Sequence, residues 1–148
     1  GVWSLTVSPD GSRFAVGDDK YAINIYSIPG LEMVASFAHH GHLIHDLAFD
    51  PDGKRMLSAS RDDTVALWDL EAKRLLRELR HGETVYGAKF TSPRHAVSGG
   101  LDGRLLRWDL DTGASKELAK IASIHAVEVV GKLVIVGGEG GVNFHDLA

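Results

Sequence analysis

Four histidines stand within seven positions, at His39, His40, His42 and His45. Neutral imidazole is a good ligand for zinc, and donors close in sequence converge easily. A site still needs three or four donors aimed at one point, and neighbours on an extended loop point apart. No acidic ligand cluster recurs nearby. The chain has no cysteine, which removes thiolate metal sites, disulfides and cysteine nucleophiles from consideration. Neither a metal nor a cofactor is expected.

The charge balance narrows the partners. The chain has 148 residues, with 16 Lys and Arg against 20 Asp and Glu, a net charge of −4. No basic block is available to neutralise a phosphate backbone, so no nucleic-acid partner is expected. No apolar stretch approaches a membrane span, and Gly1-Val2-Trp3 does not begin a signal peptide. The absence of cysteine is compatible with a cytoplasmic location, which is the expectation.

The elements that carry these residues repeat. Ser8-Pro9-Asp10-Gly11 matches Asp50-Pro51-Asp52-Gly53, with 51 − 9 = 42, and Pro51 matches Pro93, with 93 − 51 = 42. Leu67-Trp68-Asp69-Leu70 matches Arg107-Trp108-Asp109-Leu110, 40 apart. A period near 40 marks a repeated supersecondary unit that cannot bury its own apolar surface alone. The second unit parses into strands over Ile44–Phe49, Arg55–Ser60 and Thr64–Asp69, with tight turns at 50–53 and 61–63. A fourth strand is expected over Arg74–Arg80. Asp69 followed by good helix formers reads locally as a helix behind an N-cap. The equivalent stretch of the first unit, Glu32–Ala38, is strand-like, so the repeat predicts a strand in both. The units run approximately over 2–43, 44–84, 85–123 and 124–148.

Leu57-Ser58-Ala59-Ser60-Arg61-Asp62-Asp63-Thr64-Val65-Ala66-Leu67-Trp68-Asp69 resembles the WD-repeat signature almost position for position. Val97-Ser98-Gly99-Gly100-Leu101-Asp102-Gly103-Arg104-Leu105-Leu106-Arg107-Trp108-Asp109 is a second good match. The first and fourth units are degenerate copies, so the resemblance covers essentially the whole chain. It implies an all-β fold, a β-propeller of four-stranded antiparallel blades around a channel, with about four WD-type repeats. Such blades are known for a buried hydrogen-bonded set of His, Ser or Thr, Asp and Trp. The resemblance assigns His40, Ser58, Asp62 and Trp68 to the second blade, and His81, Ser98, Asp102 and Trp108 to the third, with Ser60 an alternative to Ser58. An Asp in a tight turn can accept from an imidazole, the imidazole can meet a hydroxyl, and the hydroxyl an indole N–H, so that every buried polar atom has a partner.

A Ser–His–Asp set also has the residue types of a hydrolase. A nucleophilic Ser must be exposed beside an oxyanion hole, whereas these serines fall inside blades and the set occurs twice at a structural period. No catalytic residue is therefore expected. The end units depart from the pattern. Val16 and Tyr26 replace Ser and Trp in the first, where the turn at Asp18-Asp19-Lys20 reads one residue longer. In the fourth, Ile135, Glu139 and His145 replace Ser, Asp and Trp. Apolar packing is expected to substitute for the network in both.

The second residue of each first strand is Trp3, His45, Tyr86 or His125, each a ring behind an aliphatic residue. In the family this position lies near the channel entrance, where partners commonly dock. Large amphipathic rings on a rigid rim make good anchors, and they could equally plug the channel mouth. The turns between second and third strands present Arg61 and Leu101 on the same face. The expected function is a protein–protein interaction scaffold that docks a protein or peptide through Trp3, His45, Arg61, Tyr86, Leu101 and His125. A propeller enzyme and an oligomerisation module are the alternatives. Rings of this family usually have about seven blades of ~40–45 residues each, and this sequence begins at a first strand and stops at a third. The expectation is a partial propeller, completed by further blades in the same chain or by a second copy.

Overall fold

A computed structural model describes residues 1–148. Each of its sheets is a meander of short strands rich in β-branched and apolar residues, closed by Gly- and Asp-containing turns. The first sheet holds β1 (Val2–Val7), β2 (Arg13–Asp18), β3 (Ala22–Ser27) and β4 (Met33–Ala38). The second holds β5 (Ile44–Phe49), β6 (Arg55–Ser60), β7 (Thr64–Asp69) and β8 (Arg74–Arg80). The third holds β9 (Val85–Phe90), β10 (His95–Gly100), β11 (Arg104–Asp109) and β12 (Ser115–Lys120). The fourth has three strands, β13 (Ser123–Val130), β14 (Leu133–Glu139) and β15 (Gly141–Asp146). All neighbours are antiparallel and in sequence order.

These sheets are the blades of an all-β, partial propeller. The first strands β1, β5, β9 and β13 stand side by side in that order and form the inner wall. Each blade packs face to face on the next. Ile23, Ile25 and Phe37 of the first meet Met56, Ala66 and Trp68 of the second. Leu57, Val65 and Leu79 meet Ala96, Leu106 and Trp108 of the third. Val97 and Leu105 meet Ile124, Val127, Val134 and Val136 of the fourth. β13 does not pack back on β1 as each inner strand packs on the next. The outer faces of the end blades keep apolar side chains in solvent, Leu5 and Val7 on one and Val142 and Phe144 on the other.

The stretch with helical propensity is a turn and a strand. Asp69, the N-cap candidate, accepts from the N–H groups of Glu71 and Ala72, and Lys73 ends the turn at φ 52°. Asp109 makes the same bonds to Asp111 and Thr112 one blade on. From Arg74 the side chains alternate, with Leu75, Arg77 and Leu79 turned inward. Burial on the blade face outweighs the few tenths of a kcal/mol per residue that propensity offers.

A second repeat feature joins the blades. Arg13 donates to the carbonyl of Gly53, and its guanidinium lies over the Phe49 ring at 5.9 Å. Arg55 does the same one blade on, to Pro93 and over Phe90 at 5.4 Å, while its Nε pairs with buried Asp50. Each arginine thus ties the start of its own second strand to the first turn of the following blade.

Candidate functional site

Two polar chains run through the middle blades. In the second, Trp68 Nε1–H donates to Ser58 Oγ at 2.9 Å, Ser58 Oγ meets His40 Nε2 at 2.6 Å, and His40 Nδ1 meets Asp62 at 2.8 Å. Asp62 also accepts from the Gly41 and Thr64 N–H groups and the Thr64 hydroxyl. In the third, Trp108 donates to Ser98 at 2.7 Å, Ser98 meets His81 Nδ1 at 2.8 Å, and His81 Nε2 meets Asp102 at 3.2 Å. Arg104 seals this end by donating from Nε to Asp102 and from a terminal nitrogen to the His81 carbonyl. Ser60 ends β6 and is not part of the chain, its hydroxyl donating to the Leu43 carbonyl and accepting from the Asp62 N–H. Ser58 and Ser98 are fully buried, so neither hydroxyl can meet a substrate.

The end blades solve the same problem differently. In the first, β2 and β3 pair Gly17 with Ile23, as β6 and β7 pair Ala59 with Val65. The turn has the same length as in the second blade, not one residue more. Its side of the sheet is polar: Asp18 accepts from the Lys20 and Ala22 N–H groups and from Asn24 Nδ2, and Ser36 donates to Asn24. In the fourth, Val136 pairs with Asn143 as Ser58 pairs with Ala66, so Val136 occupies the serine position and Ile135 lies on the opposite face. The turn before β15 is one residue shorter, which shifts the alignment. Apolar packing replaces the network there, with Val134 and Val136 buried; in the first blade a buried Val16 and a Phe14–Tyr26 stack stand beside the polar bonds.

Acid should weaken the middle blades in two stages. Burial pushes His81 below the ordinary imidazole value, against the pull of Asp102. Its neutral form belongs to the fold, so its contribution is full above about pH 6.5 and is lost as pH falls below that. Burial raises the Asp62 carboxyl, but bonds from His40 and Thr64 outweigh it and hold it well below the usual range. Burial likewise opposes, and bonds from Arg104 and His81 outweigh, at Asp102. Their contributions are present above about pH 4 and are lost as pH falls further. The melting temperature is expected to be level above neutrality, to decline below about pH 6.5 and to fall more steeply below about pH 4. Calorimetry across that range checks it; a melting temperature that rises on acidification would contradict these charge states.

The four rim residues share a backbone device. The pairing of each inner strand skips one residue: between Val2 and Ser4, Ile44 and Asp46, Val85 and Gly87, and Ile124 and Ala126. The residue skipped is Trp3, His45, Tyr86 or His125. A bulge of this kind leaves its extra residue out of the ladder and re-aims the side chain. His45 and Tyr86 lie 4.8 Å apart, and Tyr86 and His125 stack at 5.0 Å with planes 7° apart. Trp3 stands outside this stack and is 58% exposed. Burial and the nearby charge of Arg61 keep His45 below the ordinary imidazole value, and its Nε2 is buried without a hydrogen-bond partner. Arg61 is exposed at its turn, and Leu101 is 45% exposed at the next.

A row of charges runs beside the rings, across the same three strands. Lys89 bonds Asp46 at 2.8 Å and reaches Glu128 at 3.7 Å. Burial raises the Asp46 carboxyl while Lys89 and the Ala88 N–H pull it back. Rings and charges together line a cavity of about 210 Å³. Sequence reasoning missed this row, because Asp46, Lys89 and Glu128 share a face without sharing a residue type. The four clustered histidines go separate ways. His39 binds Glu78, His40 belongs to the network, His42 stacks on Tyr21 and accepts from the Leu43 N–H, and His45 joins the ring stack. A larger cavity of about 420 Å³ at the other end of the blades is walled by Asp50, Asp52, Asp69 and Glu71 with Lys54 and Arg55, and no ring enters it.

Residues 1–26 and 31–69 match the family described as WD domain, G-beta repeat. The chain is similar to apoptotic protease-activating factor 1 of Rattus norvegicus, 27% identical over 72% of this chain and 9% of that protein. It is 31% identical to the 66 kDa stress protein of Physarum polycephalum, over 78% of this chain and 20% of that protein. With regulator of rDNA transcription protein 13 of Saccharomyces cerevisiae the identity is 28%, over 73% of this chain and 71% of that protein. The chain spans a fifth or less of the length of the first two relatives.

Proposed function

We propose that this chain, which belongs to the WD-repeat family, is a rigid docking platform that grips a protein or peptide partner at the bulged rim of its inner wall. Proteins of this family are generally interaction scaffolds and generally not enzymes. One observation carries the finer reading. All four inner strands spend a β-bulge at the same place, and each bulge carries a ring, Trp3, His45, Tyr86 or His125. A bulge breaks ladder bonds locally, and its repetition at one level turns four rings toward one surface. Those rings lose little entropy on binding and offer apolar faces with polar edges. Arg61 and Leu101 flank them from the adjoining turns as polar and apolar contacts. Binding proceeds by shape and chemical complementarity without bond chemistry, in the cytoplasm. The exposed apolar faces of the first and fourth blades are read as seats for further blades of the same protein, with a second copy as the alternative.

Tyr86→Ala is the test. Partner capture, measured by co-precipitation from cells expressing the intact protein, should fall about tenfold, as at a hot spot. The melting temperature should drop by only a few degrees. Capture unchanged alongside a collapse of stability would make the rings packing residues and refute the platform.

A further inference from the structure

Each inner strand pairs with its own blade along one edge and turns the other edge toward the wall. Backbone groups on such an edge need partners from elsewhere. Between β5 and β9 one side chain reaches across. Asp46 Oδ2 accepts the Ala88 N–H at 3.1 Å and lies 2.8 Å from Lys89 Nζ. Its Oδ1 accepts the Leu47 N–H at 3.0 Å and Lys89 Nζ at 2.9 Å. The carboxylate thus grips its own strand at Leu47 and the next strand at two consecutive residues.

Its place in the chain couples it to the rim. His45 is the residue skipped by the pairing, and Asp46 is where β5 rejoins β6, opposite Ala59. On β9 the residue skipped is Tyr86, two before Ala88. Tying Asp46 to Ala88 therefore fixes two neighbouring bulges relative to each other, and the rings they carry stand 4.8 Å apart. The repeat supplies the contrasts. Ser4 holds this position in the first blade. Its hydroxyl is buried with no partner, and Trp3, the ring before it, stands outside the stack. Gly87 holds it in the third. A Cβ there would lie 3.0 Å from the Val127 backbone nitrogen, so those strands close by direct contact and leave no room for a clamp.

We propose that Asp46 is a positioning residue of the docking rim: its carboxylate clamps β5 to β9 and sets the spacing of His45 and Tyr86 that a partner meets, a role that rests on the docking reading of those rings. The clamp requires acceptors at both oxygens. An amide of the same size keeps one acceptor and turns an NH2 toward Lys89, Leu47 or Ala88, all of which are donors. The charge goes with it, and the Lys89 ammonium loses its close partner.

The test is Asp46→Asn in the intact protein. It should abolish the nuclear Overhauser contacts between the His45 and Tyr86 ring protons. Co-precipitation of the partner that the parent captures should fall about tenfold, as at a hot spot. The melting temperature should drop by only a few degrees. Asp46→Glu keeps the charge and both acceptors, and should restore the ring contacts and bring capture to within about threefold of the parent. If Asp46→Asn does not fold, Asp46→Ser carries the same readouts, since the first blade already holds serine there. Ring contacts that persist without the carboxylate, capture equal to the parent's, or an Asp46→Glu variant that restores neither would each overturn the clamp. Those results leave the platform standing if Tyr86→Ala still lowers partner capture. Capture that survives Tyr86→Ala would instead remove the docking reading beneath it.

Discussion

Replacing Asp62 by Ala is expected to lower the unfolding free energy by about 3 kcal/mol, since buried orphaned donors cost about 1–3 kcal/mol each. Four donors lose their acceptor: the His40 ring, the Gly41 and Thr64 N–H groups and the Thr64 hydroxyl. The His40 side chain is 1% exposed, so water cannot replace the carboxylate there. Gly41 is exposed and recovers part of its loss, whereas Thr64 is buried. Asp102→Ala should cost less, because Arg104 shares the Asp102 carboxylate and holds the His81 carbonyl independently. Denaturant midpoints of both variants, at constant slope, measure the difference. Equal and unchanged midpoints would mean that the chains satisfy no buried donor that matters.

Gly103→Ala should cost about as much or more, by a different route. Gly103 has φ +75°, and a Cβ there would stand 1.9 Å from the Ile121 carbonyl oxygen. That oxygen is backbone in the short connection from β12 to β13, so it cannot swing aside as a side chain would. Relief requires parting the third blade from the fourth or forcing the turn out of the left-handed region, at a cost of about 3 kcal/mol or more. Asp63 holds the same place in the second blade with φ 71° and carries a Cβ without obstruction. Asp63→Gly should therefore move stability by less than about 1 kcal/mol. A Gly103→Ala melt within two degrees of the parent would show that the connection yields.

The repeat was legible because it rests on residues that recur with little choice of chemistry. Ser58 and Ser98, Asp62 and Asp102, and Trp68 and Trp108 each stand 40 apart, and the chain they form admits few other residue types. The rim rings were legible from position alone. Their bulges were not, since one unpaired residue leaves the alternation of a six-residue strand almost intact. The first-blade turn and the fourth-blade serine position were misread for a related reason. In a degenerate repeat the place of a gap is decided by strand pairing, which no local pattern records. Lys89 and its two carboxylates were invisible because three unlike residues perform one task. Arg13 and Arg55, and Phe49 and Phe90, did offer a signal in their spacing of 42 and 41.

Those two arginines make the arc mechanically uneven. Position 95 continues their series as His95, whose ring turns back to Ser92 of its own turn and reaches no neighbour. The first three blades are thus riveted as well as packed. The fourth is held to the third by apolar contact and by the one long ion pair from Lys89 to Glu128. In a linear array, blades are coupled joint by joint, and the joint between β9 and β13 is the one without an arginine rivet. The stack of Tyr86 on His125 crosses the same joint. A partner seated on those rings would staple the joint that lacks a rivet, so that occupancy and stiffness rise together.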